Sequence, residues 1–236
     1  MTMNARTQHG PILVSFSGID GCGKTTQIEN LRRLISELGM SDRLLTFWDN
    51  VVVLSRYREQ FVHTVYGSER GVGSPERPVK RRDKNVRAWY LTLMRHLLYL
   101  VDAIHLSVVV ARAMRSGCDV IIFDRYIYDE MANLPLTSPL TRLWVQMIVR
   151  LVVPQPDLAL LLDADPEEAR ARKPEYPVDF MHKCRKSYFD LAHIVRNITA
   201  VPPLPLAEAK SEIELLFRQK IKRSRSPESE SAVPAA

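Results

Sequence analysis

"GIDGCGKTTQ", residues 18–27, sets three glycines, a lysine and two threonines into ten positions of a chain with only 9 glycines among its 236 residues. Gly18 to Thr25 fits G-x-x-x-x-G-K-[ST] in full. The apolar, β-branched run Ile12 to Ser17 precedes it and predicts a buried strand. Ile28, Leu31, Leu34, Ile35 and Leu38 follow at helical spacing, and Gly39 is the expected helix stop. Glycines permit backbone angles that aim successive N–H groups into one concavity, and the helix start adds partial positive charge. Gly18, Asp20, Gly21, Cys22, Gly23, Lys24, Thr25 and Thr26 therefore form the expected cradle of a triphosphate. In it Lys24 would reach the β- and γ-phosphates and the Thr25 hydroxyl would bind Mg²⁺. Cys22 reads as a small filler in that loop.

Outward from the loop, strands alternate with helices. "LLTFW" (44–48) predicts a second strand, "DVIIFD" (119–124) a third, "DLALLLD" (157–163) a fourth and "NITAV" (197–201) a fifth. Helices are expected over about 86–116, after Pro139, from "PEEARARK", over 179–195 and over 207–222. This alternation argues for an α/β fold, a doubly wound parallel sheet with helices on both faces. Ligands in such sheets bind beyond the carboxyl ends of the strands. The glycine loop, Asp49, Asp124 and Asp163 all fall there. Asp124 closes an apolar run and either helps Thr25 order Mg²⁺ or caps the next turn.

The charge balance is +6, with 46% hydrophobic and 25% charged residues, as in a globular protein; the basic excess suits anionic ligands such as nucleotides or nucleic acid, and equally a basic surface with no special partner. The loop 67–85 carries Arg70, Arg77, Lys80, Arg81, Arg82 and Lys84. It lacks interleaved aromatics, so a solvated loop or an anion clamp is expected there, and nucleic acid is disfavoured. The apolar stretch 96–114 holds Asp102 and His105 and reads as a buried helix, with no membrane span. Cys22, Cys118 and Cys184 lack metal-ligand spacing and fit a reducing, cytoplasmic setting. No signal peptide is apparent at the N-terminus. The organisation expected is one domain over 1–222 and a disordered polar tail over 223–236.

Four stretches together resemble the thymidylate kinase family of nucleoside monophosphate kinases: "GIDGCGKTT" (18–26), "DRY" (124–126), "PDLALLLDADPEEARAR" (156–172) and "KCRKSYFDLA" (183–192). The resemblance implies five parallel strands, a P-loop kinase fold with a lid at about 164–180, Mg·ATP as donor, a nucleoside monophosphate as acceptor and a homodimer. It further implies Asp20 near the acceptor's sugar, Arg125 on the acceptor phosphate with Tyr126 beside it as a substrate-binding residue, and Arg170, Arg172 and Lys173 in the lid. Gly21 stands where one branch of the family carries an arginine, which implies the branch whose lid cations supply the charge. Arg170 and Arg172 otherwise read as a solvated helix face paired with Glu167 and Glu168. The family's Arg-Glu-Pro-Gly run is replaced by "FWDNVV" (47–52), leaving Asp49 as the acid. Tyr99 is placed to stack on a base, and Ala103 stands at the base-reading arginine position. Arg95 and His105, one turn away, are the candidate substitutes, and Arg95 and Tyr99 equally read as ordinary helix residues. The leading expectation is phosphoryl transfer from ATP to dTMP, with Lys24, Arg125, Arg170 and Arg172 as the working cations. A nucleoside kinase on the same fold and a non-catalytic nucleotide-binding module are the rivals.

Overall fold

A computed structural model of the chain describes residues 10–53 and 89–225. The elements run β1 (Ile12–Ser17), α1 (Lys24–Glu37), β2 (Asp42–Thr46), α2 (Phe47–Asn50), α3 (Trp89–Met114) and β3 (Val120–Asp124). They continue with α4 (Ile127–Met131), α5 (Pro139–Leu151), β4 (Leu158–Leu162), α6 (Pro166–Arg172), α7 (Val178–Val195), β5 (Ile198–Val201) and α8 (Leu206–Arg225). The cationic loop expected over 67–85 and residues 226–236 of the expected tail lie outside the described residues.

The strands form one five-stranded sheet in the order β2-β3-β1-β4-β5, and every pair is parallel. Alternation within each strand builds two cores. Val14, Phe16, Ile122, Leu160 and Leu162 face α1 and α8, joining Ile28, Leu31, Ile35, Ile213 and Phe217. Leu13, Ile121, Phe123, Ala159 and Leu161 face the other way, onto Leu106, Val145, Ile148 and Leu191. Leu31, at 1% exposure, sits where truncation to Ala would cost about 2–5 kcal/mol. β1 is central, the chain leaves it toward one edge and leaves β3 toward the other, and the sheet's crevice lies between them.

Three sequence expectations need correction. The second strand ends at Thr46, and Phe47 and Trp48 belong to the one-turn helix α2. Thr46 Oγ1 donates to Asp49 Oδ2 at 2.7 Å and its amide donates to Asn50 Oδ1 at 2.8 Å, so α2's own side chains bend the chain out of the sheet. α8 runs on to Arg225, past the expected start of the tail.

The third concerns α3, which is buried on one side only. Ala103 and Leu106 are at 0% exposure, whereas Leu97 is at 57% and Ile104 at 52%. The helix is long and apolar enough, by length and composition, to cross a membrane over Thr92–Met114. Its inner face is tied to the fold: Asp102 accepts the Val53 amide at 3.0 Å, and His105 Nδ1 lies 2.6 Å from the Val51 carbonyl oxygen.

Candidate functional site

The loop after β1 is a backbone construction. Gly18, Gly21 and Gly23 have φ of +143°, +82° and +91°. At Gly21 the close approach is decisive, because a Cβ there would stand 2.2 Å from the carbonyl oxygen of Ala169 in α6. A Cβ on Gly18 would stand 2.5 Å from the Leu162 carbonyl oxygen at the end of β4. Lys24 is buried at 8% exposure, and its ammonium donates to the Gly18 and Ile19 carbonyls, both at 2.9 Å. Thr25 and Thr26 are exposed on the first turn of α1.

That first turn has no side-chain cap and no acidic residue. α5 and α6, by contrast, are capped by side chains. Ser138 Oγ accepts from Thr141 N in front of α5, and Asp165 accepts from Glu167 N and Glu168 N in front of α6. The amides opening α1 thus retain their capacity for an anion.

A second basic centre lies against this loop. Arg125 follows β3 with φ +64°, a left-handed conformation costly for a side chain bearing Cβ, and its amide donates to Phe16 O of β1 at 2.9 Å. Its Nη2 bonds Asp20 Oδ1 in the phosphate loop, and its Nη1 donates to Asp129 Oδ1 at 3.2 Å. Burial opposes the charge of Arg125, but Asp129, Tyr188, Asp20 and Asp124 outweigh it and raise the guanidinium's pKa. Burial likewise pushes Asp20 up, yet Arg125 first, then Lys24 and Lys173, hold its carboxyl below the ordinary value.

The lid segment separates the two arginines that the sequence treats alike. Arg172 is half-exposed, its Nε donates to Glu168 O at 3.2 Å, and its Nη2 lies 3.9 Å from Glu168 Oε2. This is the solvated i,i+4 arrangement that the sequence offers as the alternative to a place in the site. Arg170 differs, since its Nε is buried without a hydrogen-bond partner, one residue beyond the carbonyl that touches Gly21. An orphaned guanidinium nitrogen beside the loop, with Lys24 and uncapped amides, fits a polyphosphate. Asp163 and Arg185 form a bidentate pair, with both bonds at 2.6 Å, that fixes α7 to the end of β4 below the lid.

Other expected residues fall as follows. Asp124 ends β3 paired with Phe16, next to Arg125. Its carboxylate and the Thr25 hydroxyl are hard oxygen donors, a set that fits Mg²⁺, which keeps several waters and phosphate oxygens. Tyr126 is corrected as a substrate residue: it is at 0% exposure and its hydroxyl donates to Pro154 O at 2.6 Å. Tyr99 is buried in the same core cluster as Ala103 and Tyr128, and Arg95 is half-buried on α3. Asp49 is exposed and engaged with Thr46. Ser17, Asp129, Tyr188 and Arg185 were not singled out by sequence reasoning. The i,i+4 spacing of Arg125 and Asp129 is a sequence signal that could have found Asp129; Ser17, Tyr188 and Arg185 have no such local signal.

No protein-family profile matches the chain. Sequence relatives do. The probable thymidylate kinase of Archaeoglobus fulgidus is 28% identical over 210 residues, covering 86% of this chain and 92% of the relative. The probable thymidylate kinase of Methanosphaera stadtmanae is 24% identical over 196 residues, covering 81% of this chain and 89% of the relative. A crystal structure of thymidylate kinase from Ehrlichia chaffeensis matches with a TM-score of 0.54 at 17% identity, covering 89% of this chain and 99% of that one. At that identity the structural likeness speaks for the fold.

Proposed function

We propose that this chain, a member of the thymidylate kinase family, transfers the γ-phosphoryl group of ATP to a nucleoside monophosphate, dTMP foremost, giving dTDP. The observation that carries the reading is the bond between Asp20 of the phosphate loop and Arg125 after β3, which gives two anion sites a common rim. Amides of Gly18–Thr26 and the Lys24 ammonium bind the donor's phosphates, and Arg125 holds the acceptor phosphate. The acceptor oxygen bonds to the γ-phosphorus as the bond to the β,γ-bridging oxygen breaks, so no covalent enzyme intermediate is required. Arg170, reaching down from α6, offsets charge on the transferred group, and the Gly21–Ala169 contact keeps α6 against the loop. Thr25 and Asp124 would hold Mg²⁺, whose chemistry is to neutralise the β- and γ-oxygens.

An ADP-release assay over a panel of nucleoside monophosphates and unphosphorylated nucleosides tests this reading. Acceptor-dependent ADP with dTMP is the expected result, and its absence with every monophosphate refutes the proposal. Free Cys22, Cys118 and Cys184 suit a cytoplasmic enzyme, and nucleotides are the partners proposed.

Two copies are proposed to pair through α3 and α5. Leu93, Leu97, Val101, Ile104 and Val108 expose an apolar stripe on α3, and Leu140, Leu143, Met147 and Leu151 do so on α5. The helices are neighbours, with His96 against Trp144 at 4.7 Å and Ser107 Oγ donating to Val152 O at 2.6 Å. Sedimentation should give a dimer that Leu97→Glu with Ile104→Glu converts to a monomer.

A further inference from the structure

We propose that Asp129 is a positioning residue that locks one branch of the Arg125 guanidinium, so that the other branch faces the phosphate loop and is the one exchanged onto the acceptor anion. The inference rests on the reading of Arg125 as the acceptor-phosphate ligand and adds to it the residue that aims that ligand.

Asp129 sits on α4, at 6% exposure, and collects four donors from three places in the fold. Ser17 Oγ of β1 donates to its Oδ2 at 2.6 Å and Tyr188 OH of α7 donates to its Oδ1 at 2.7 Å. The Tyr126 amide donates to Oδ2 at 3.1 Å, and Arg125 Nη1 donates to Oδ1 at 3.2 Å. Each carboxylate oxygen therefore accepts two bonds, and neither can turn without leaving a buried donor unpaired. Asp20, the other carboxylate on Arg125, differs in kind: it lies on a loop and is 25% exposed. A phosphate approaching Arg125 thus displaces the carboxylate that can leave. The charge count agrees. Arg125 faces Asp20, Asp129 and Asp124, so a dianion bound there must find the guanidinium held in place, since any drift would leave it opposite acids.

Asp129→Asn keeps the shape, removes the charge and turns one acceptor into a donor facing Ser17 Oγ or the Tyr126 amide. Steady-state kinetics of the full chain should show the dTMP KM raised about tenfold and the ATP KM within twofold. In an Arg125→Ala background the same substitution should leave dTMP affinity, read by calorimetry, within twofold of the single variant. Equal rises in both KM values, an unmoved dTMP KM, or the same loss in both backgrounds would overturn the proposal. Nitrogen-15 NMR supplies a readout free of nucleotide. Arg125 Nη resonances should be resolved by hindered rotation in the wild-type protein and collapse in Asp129→Asn; unchanged resonances refute the positioning role. If no monophosphate is phosphorylated by the wild-type chain, the kinase reading fails and the NMR arm alone decides the role of Asp129. Should Asp129→Asn fail to fold, Ser17→Ala and Tyr188→Phe each strip one donor from the same carboxylate. Each should raise the dTMP KM about threefold, and no rise in either counts against the proposal.

Discussion

The phosphate loop and the Arg125 centre touch at Asp20, yet they are built in opposite ways. The loop is contiguous, Gly18 to Lys24, and its proposed ligands are backbone amides aimed by glycine dihedrals. The Arg125 centre is dispersed. It draws Ser17 from β1, Asp20 from the loop, Asp129 from α4 and Tyr188 from α7. A backbone site is specified by local chain chemistry. A side-chain site is specified by the register that brings distant elements together, and it weakens when any one contributor is lost.

Substitutions can break or sharpen this contrast. Lys24→Ala should lower turnover about a thousandfold with the fold intact, since its ammonium is a point charge on a backbone cradle that persists without it; circular dichroism beside the ADP-release assay checks both halves. Arg125→Ala should lower kcat/KM for dTMP about a hundredfold and, unlike Lys24→Ala, destabilise the protein by ~3 kcal/mol, because buried Asp129 loses its cation. Urea denaturation distinguishes them, and equal stabilities would erase the contrast. Gly21→Ala tests the backbone side. With φ at +82° and the Ala169 carbonyl oxygen in the way, it should destabilise by about 1–3 kcal/mol and cut turnover at least tenfold. In the lid, Arg170→Ala should cut kcat about tenfold, whereas Arg172→Ala, whose partner is solvated Glu168, should stay within twofold. The last effect is one of pH. Burial pushes the Tyr128 phenol up to about 12 from 10.0, an Asn197 hydrogen bond opposing it, so the folded state holds a proton that the unfolded chain releases. Stability is then full below pH 10.0 and declines between there and about 12, by at most ~2.7 kcal/mol from this group, and Tyr128→Phe should flatten that decline in urea titrations.

How much of this was legible follows the same divide. The strand–loop–helix at Ile12–Glu37 and the three further apolar strands at 120–124, 158–162 and 198–201 were readable because each is a local pattern of period or dihedral. β2 was misjudged at its end because Phe47 and Trp48 have strand propensity, while the caps on Thr46 from Asp49 and Asn50 won. Tyr126 was assigned to substrate by its neighbour Arg125, but after a left-handed residue the chain turns and its ring falls into the core. Arg170 and Arg172 look equivalent in "PEEARAR", and only the packing of α6 on Gly21 separates buried from solvated. Asp129 is hard to read from the sequence for a related reason: all four of its donors come from outside α4, two of them from elements remote in sequence.

α1 starts without a side chain to finish it, although the same chain caps α5 with Ser138 and α6 with Asp165. A nucleotide's phosphate bound as proposed would therefore complete a secondary-structure element as well as occupy a cleft. Saturation at a hundred times the dissociation constant adds about 2.7 kcal/mol of folding stability. The gain should register first as slowed amide exchange in the opening turn of α1, so that substrate supply is written into how long the enzyme itself survives.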